Sequence, residues 1–258
     1  MSEQVSEQKP LILISNDDGI TAPGLRVLVE EMSQIGEVIV VAPDKPQSAM
    51  GHAITVSQPL RLKRNFIFAG IEAYECSGTP ADCVKLALDK VCKRRPDIMV
   101  SGINHGPNYS INVIYSGTMS AAVEAAVDGV QAIGFSLCDY SHEANFEYCR
   151  PHIKHITETI LKNPLPYGTL LNVNMPKTDQ IKGHRICRQA GAKYAENFDE
   201  RKDPSGNTYY WMTGKFINLD AEDNDTDLWA VENGYVSVVP TKFDLTSHGV
   251  IQHLKNIL

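Results

Sequence analysis

Along the first two thirds of the chain, short unbroken apolar runs alternate with segments whose apolar residues recur every three or four positions. Leu11–Ser15, Val38–Ala42, Ile98–Ser101, Ala132–Leu137 and Thr169–Asn174 read as strands covered on both faces. Helices are predicted between them, near 22–35, 80–92, 118–129 and 145–162. The first opens at Thr21-Ala22-Pro23-Gly24 and carries Leu25, Leu28, Val29, Met32 and Ile35 at helical spacing. The second opens at Thr79-Pro80-Ala81-Asp82, a capping residue followed by a first-turn proline and an acid three positions after the cap. The third aligns Met119, Ala122, Val123, Ala126 and Val127 on one face, with Thr118 as its predicted N-cap. Strands alternating with helices imply parallel strands joined by right-handed crossovers, hence an α/β fold with a Rossmann-like three-layer sandwich.

Two stretches break the rhythm. Residues 53–76 alternate around Leu60-Arg61-Leu62 and Phe66-Ile67-Phe68, which predicts a small hairpin excursion. After Pro176 the chain becomes more polar and aromatic. Tyr209-Tyr210-Trp211 beside the turn-like Asp203-Pro204-Ser205-Gly206-Asn207 reads as a long hairpin over 183–218. A short helix over 226–233, a strand over 235–239 and a terminal helix over 250–257 follow. The division is therefore a catalytic core over 1–180 and a C-terminal extension over 181–258, whose exposed aromatics suit packing against a second subunit.

Composition narrows the function classes. At 258 residues and 43% hydrophobic content the chain can bury a sizeable core. A net charge of -7 argues against a nucleic-acid polymer or an anionic membrane as partner, although a bound metal can reverse the field inside one cleft. No apolar run is long enough to span a bilayer, and the start, Met1 to Lys9, lacks the apolar core of a signal peptide. Six scattered cysteines with no Cys-x-x-Cys pair support neither zinc nor redox chemistry and fit a cytoplasmic location.

The candidate chemistry gathers where strands end. The first apolar run stops at Ser15-Asn16-Asp17-Asp18-Gly19. Two adjacent carboxylates at the end of an interior strand repel each other and lose solvation, an arrangement stabilised by a cation. The second strand leads to a loop with Gln47 and Ser48, and the third to Ser101-Gly102-Ile103-Asn104-His105-Gly106-Pro107-Asn108. Ser116-Gly117-Thr118 then opens a helix whose free N–H groups suit a phosphate. Each piece has a plainer reading as a turn or a cap; together they form a hard-oxygen site facing an anion site, suited to Mg2+ or Mn2+. Further on, Asp244 and His248 stand four apart, and a histidine there that reached a phosphate cleft would assist proton transfer. A covalent aspartyl-phosphate enzyme and a nucleotide-binding module without turnover remain alternatives at this point. A dehydrogenase is disfavoured, since no Gly-x-Gly-x-x-Gly follows the first strand.

These residues resemble the SurE family of stationary-phase survival proteins, which are metal-dependent 5'/3'-nucleotidases. The resemblance is carried by Ser15-Asn16-Asp17-Asp18-Gly19, Ser77-Gly78-Thr79-Pro80-Ala81-Asp82-Cys83-Val84, Ser101-Gly102-Ile103-Asn104 through Asn108, and Tyr115-Ser116-Gly117-Thr118. Asn172-Val173-Asn174-Met175-Pro176, Gly234-Tyr235-Val236-Ser237-Val238 and Asp244-Leu245-Thr246 extend it over nearly the whole chain. It implies one divalent ion, Mg2+ or Mn2+, on Asp17, Asp18, Ser48 and Asn104. Phosphate contacts then fall on Asn104, Asn108, Ser116, Gly117 and Thr118. Nucleoside monophosphates would be the substrates. A C-terminal extension exchanged between the subunits of a homodimer or homotetramer follows as well. The chain departs from the family pattern at Ala49 and Ala125, where glycine is usual.

Overall fold

The computed structural model describes residues 9–141 and 143–258, so the polar stretch before Lys9 lies outside the described residues. In chain order, β1 (Leu11–Ser15), α1 (Pro23–Ile35) and β2 (Glu37–Pro43) are followed by β3 (Leu62–Asn65), β4 (Glu72–Cys76) and α2 (Pro80–Leu86). Then come β5 (Ile98–His105), α3 (Gly117–Val127), β6 (Gln131–Leu137), α4 (Arg150–Lys162) and β7 (Thr169–Met175). The last third holds β8 (His184–Ile186), β9 (Ala192–Lys202), β10 (Thr208–Asn218), α5 (Asp227–Glu232), β11 (Val236–Lys242) and α6 (His248–Ile257).

Nine strands form one sheet in the order β3-β4-β2-β1-β5-β6-β7-β11-β8. The six strands from β4 to β7 are mutually parallel, while β3 and β11 pair antiparallel with their neighbours β4 and β7. The chain winds outward from β1 in one direction and from β5 in the other. Their carboxyl ends therefore flank the crevice where open α/β sheets take ligands. Alternation along β1 explains the layers: Ile12 and Ile14 join Leu25, Leu28, Ile153 and Ile156 on one face. Leu11 and Leu13 join Val84, Met119 and Ala122 on the other. The predicted α/β architecture is the observed one.

Three local expectations are corrected. The hairpin read over 53–76 forms from β3 and β4, but as the edge of the main sheet and not an excursion from it: β4 lies parallel to β2, and β3 pairs antiparallel with β4. Only Ala73 and Cys76 of β4 are buried, so the strand is too polar to announce itself as part of an interior sheet. The second helix is α-helical only to Leu86 and continues as a π-turn over Ala87–Val91. The third begins earlier than read, with Ser116 as its N-cap accepting from the Met119 N–H at 3.0 Å. Thr118 is thereby released from capping, and its hydroxyl turns to the site.

Beyond β7 the chain does two separate things. β8 and β11 extend the sheet, and β9 and β10 pair over their full length into a two-stranded arm. The arm's tip is a turn closed by Asp203, which accepts from the N–H groups of Ser205 and Asn207. α6 has no buried residue, and Val250, Ile251, Leu254 and Ile257 lie exposed along it.

Candidate active site

The turn after β1 is built by Asn16. Its buried amide donates to Gly19 O at 3.0 Å and accepts from the Gly19 N–H at 3.2 Å, closing a loop whose apex is Asp17-Asp18. Gly19 sits at φ +96°, a backbone state open to glycine at little cost. Asp17 is 5% exposed, and among the described residues its carboxylate takes a side-chain hydrogen bond from one neighbour, Thr118 Oγ1, at 2.5 Å from Oδ1. The Thr118 N–H faces the same carboxylate, so the positive end of α3 is aimed at Asp17. Gly117 permits this approach, since a Cβ there would lie 2.6 Å from Asp17 Cβ. Asp18, half-buried, accepts from the His105 N–H at 3.2 Å.

β5 brings Asn104 to the same point. Its Nδ2 donates to Gly106 O at 2.8 Å, which turns Oδ1 toward Thr118 Oγ1, 3.3 Å away. The loop after β2 closes over the site from the other side. The Gln47 N–H donates to Asp17 O at 2.8 Å and the Gly51 N–H to Tyr115 O at 3.1 Å, holding Ser48 on the cleft wall. His52, which follows, bonds Glu124 at 2.8 Å and so anchors the loop to α3. Ala49 stands at φ +58° in this loop, the left-handed state that explains why glycine is usual there. Ala49→Gly is expected to stabilise the protein by about 0.5–1 kcal/mol, the relief of that state less the added freedom of the unfolded chain. Urea unfolding would show a higher midpoint at an unchanged slope. Ala125, the other departure, is fully buried in α3, where its methyl fills the core under the sheet.

These residues line a cleft of about 580 Å3, within the roughly 300–1,000 Å3 usual for small-molecule sites. Of the sequence-predicted positions, Asp17, Asp18, Ser48, Asn104, Asn108 and Ser116 line it. Thr118 is wholly buried behind Asp17, and Gly117 lies against the same carboxylate. His248 is not brought to the cleft: it bonds Asp244 at 2.7 Å on the exposed tail.

Several residues that hold this arrangement were given no role by sequence reasoning, although Asn172 and Asn174 were among the motifs that carried the resemblance. Asn108 is clamped by β7: its N–H donates to Asn174 Oδ1 at 2.7 Å and its carbonyl accepts from Asn172 Nδ2 at 2.8 Å. Its own amide donates to Ser136 Oγ at 2.9 Å. The available signal was two asparagines at alternate positions of an otherwise apolar strand. Buried Asp227 accepts from the N–H groups of Ser110 and Ala190, tying the segment after Asn108 to the root of the arm. The arm itself supplies Tyr194, Glu196, Met212, Thr213 and Gly214 to the cleft wall.

The electrostatics fit a hard cation. Burial, and then the like charge of Asp18, push the Asp17 carboxyl up to about 6 in spite of the Thr118 hydrogen bonds. Burial raises Asp18 as well, against the His105 N–H. Among the described residues no lysine or arginine lines the cleft. Among the described residues no three acidic, histidine or cysteine side chains converge as a metal cluster, so an ion here rests on two carboxylates and neutral oxygens. That donor set matches Mg2+ or Mn2+ and does not match zinc.

Comparisons with known proteins bear on the fold and the family. A sequence profile described as Survival protein SurE matches residues 12–196. A Flavobacterium johnsoniae protein named 5'-nucleotidase SurE is 60% identical over 255 residues, covering 97% of each chain. One of the same name from Pelotomaculum thermopropionicum is 44% identical over 248 residues, covering 96% of this chain and 95% of its own. The crystal structure of the SurE protein from Aquifex aeolicus superposes with a TM-score of 0.83 at 37% identity, covering 96% of this chain and 99% of that one. With its paired acids, its switch-point cleft and these matches along nearly its whole length, the chain belongs to the survival protein SurE family.

Proposed function

We propose that this chain is a divalent-metal-dependent phosphomonoesterase that hydrolyses nucleoside 5'-monophosphates, and the 3' isomers as well, to nucleoside and phosphate. The observation that carries the reading is the buried Asp17-Asp18 pair in a cleft lined by no lysine or arginine. A phosphate dianion approaching two carboxylates needs a cation between them. The names of the relatives point the same way.

Asp17, Asp18, Ser48 and Asn104 would hold the ion. Mg2+ or Mn2+ bound there supplies Lewis acidity toward a phosphoryl oxygen and acidifies a water to near-neutral pKa. The protein's own part is positioning. Thr118 fixes the Asp17 carboxylate, the Asn104 amide is turned by Gly106, and the Gln47 contact holds the Ser48 loop. Ser116 lines the cleft with its oxygen accepting from Met119, which leaves its hydroxyl proton free to donate to a phosphoryl oxygen. Asn108 sits beside it, held by the β7 asparagines. Hydrolysis forms one P–O bond from water and breaks the P–O bond to the sugar, whose oxygen leaves with a proton. An aspartyl-phosphate route has less support, because Asp17 is buried with one oxygen committed to Thr118 and the acids are adjacent.

The reading includes a homodimer or homotetramer in which the C-terminal extension is exchanged through its tail, α6, while Tyr194 keeps the arm on this chain's own cleft. Its support is the bare apolar face of α6 and the exposed Tyr210, Trp211 and Met212 of β10. It also includes a cytoplasmic location, in keeping with six free cysteines. No helix of the described residues is long and apolar enough to cross a membrane. A nucleic-acid polymer is not proposed as a partner, given the net charge of -7.

The test is phosphate release from AMP by the full-length protein with Mg2+ or Mn2+, against an EDTA control. Turnover is expected only with metal. Undiminished turnover in EDTA, or none with either metal, would overturn the proposal.

A further inference from the structure

The cleft continues past the acids into a region that neither a cation nor a phosphate requires. Tyr140 and Asn112 form one side of it, and Tyr194, Glu196, Met212 and Gly214 of the arm form the other. The pairing of β9 with β10 sets Tyr194 opposite Phe216 and Glu196 opposite Gly214. Alternation puts Tyr194 and Glu196 on the same face of the arm. Tyr194 is fixed at both ends: its ring meets Phe216 edge-on at 5.4 Å between centroids, and its phenol donates to Asn112 Oδ1 at 2.7 Å. A ring held in this way presents a face at little further entropy cost. Tyr140 is exposed and lies over Gly106, where a Cβ would sit 2.6 Å from its ring.

Glu196 differs from most acids of this chain. Its side chain is exposed to the cleft, and among the described residues its carboxylate has no hydrogen-bonding or ion-pair partner. The residue across from it is a glycine, so no cross-strand side chain fills the space beside it. An ionised carboxylate only accepts hydrogen bonds, and it takes two parallel donors best.

We propose that this end of the cleft reads the nucleobase, with Tyr140 and Tyr194 as stacking surfaces and Glu196 as acceptor for the base's N–H donors, so that guanine is favoured over uracil. The inference rests on the phosphomonoesterase reading above. Guanine offers N1–H and the 2-amino group side by side, matching both oxygens of a carboxylate. Adenine and cytosine offer one amino group. Uracil offers a single N–H flanked by two carbonyl oxygens, which a carboxylate repels. Stacking on the tyrosines is tolerant of base identity and raises affinity for every nucleotide over a base-free sugar phosphate, by about ten- to a hundredfold.

The experiment compares kcat/KM for GMP, AMP, CMP, UMP and ribose 5-phosphate, with Mn2+ present, in the full-length wild type, Glu196→Gln and Tyr140→Leu. The wild type is expected to favour GMP over UMP by about tenfold or more, each lost hydrogen bond to a charged group contributing a factor of that order. In Glu196→Gln the GMP-to-UMP ratio should fall to within about threefold, mainly through KM for GMP, because the amide replaces one acceptor oxygen with a donor. Tyr140→Leu should lower all four nucleotides relative to ribose 5-phosphate while keeping their order. Turnover with equal preference for all bases, or a GMP-to-UMP ratio unmoved by Glu196→Gln, would overturn the inference and leave the phosphomonoesterase reading standing. Absence of turnover on every substrate, ribose 5-phosphate included, would overturn both.

Discussion

Asp17→Asn is expected to lower nucleotidase turnover by about 10^3-fold while making the metal-free protein more stable, by on the order of 3 kcal/mol at neutral pH. The two effects share one cause. The Asp17 carboxyl is pushed up to about 6, first by burial and then by Asp18, so its charged form is held at a cost that a cation relieves. In the unfolded chain the same carboxyl titrates near 3.8. Between those values the folded state keeps a proton that the unfolded state has released. Metal-free stability should therefore fall as pH rises from about 4 to about 6 and stay low above that window. Asparagine fills the same space, still accepts from Thr118, and carries no charge to desolvate, so the variant should show a smaller fall, the part that burial of Asp18 keeps. Denaturant midpoints at pH 4, 5, 6 and 7, in EDTA, measure it. Saturating Mn2+ should restore the wild type at pH 7 and leave the variant unchanged. An Asp17→Asn protein that is less stable than the wild type without metal would contradict the electrostatic part of this reading.

Thr118→Val should weaken the apparent metal affinity by about 10- to 100-fold, the range found when a partner that orients a metal ligand is removed. Valine matches threonine in shape, and Ser116 rather than Thr118 caps α3, so the helix start is expected to survive. What is lost is the hydroxyl on Asp17 Oδ1 and its contact with Asn104 Oδ1. Because the Thr118 hydroxyl pulls the Asp17 carboxyl down against burial, its loss also favours the protonated acid and strengthens proton competition for the site. The defect should shrink as pH is raised, and Thr118→Ser should recover most of the affinity. Mn2+ titrations at pH 6 and 8 separate this from a general loss of packing, which would show no pH trend and no rescue by serine.

The parts of this molecule that were legible in its sequence are those specified by local pattern. Leu11 to Ile14 announce an interior strand because each residue is buried on one face or the other, and Asp17-Asp18 at its end is conspicuous against that background. α1 is legible from a first-turn proline and an apolar stripe at helical spacing. The arm is legible from a turn sequence between two long polar-aromatic stretches. What pairing decides was harder to read. β4 joins the sheet between β2 and β3 with two of its five residues buried, so its place is set by pairing and not by an apolar run.

The site divides in the same way. Asp17, Asp18, Ser48, Asn104, Asn108 and Ser116 reach one cleft, as the strand ends indicated. Thr118 was assigned to phosphate through the resemblance and His248 to proton transfer beside Asp244, and space disposes of them differently: one is turned inward onto a carboxylate, the other is held by Asp244 on the exposed tail. The clamp of Asn172 and Asn174 on Asn108 spans more than sixty residues of sequence. So does the lock between Asp227 and Ser110; the alternate asparagines of β7 hint at the first, and no local pattern signals the second. The contribution of the arm to the cleft depends on where Ser110, Asn112 and Asp227 fasten its root, which only the folded chain reveals.

The most direct test of the central claim is a crystal of the protein grown with Mn2+ and examined at the manganese absorption edge. One anomalous peak per chain is predicted, within bonding distance of carboxylate oxygens from both Asp17 and Asp18 and absent from the Asp17→Asn protein. A cleft that stays free of manganese at saturating concentration, or a peak retained in Asp17→Asn, would contradict it.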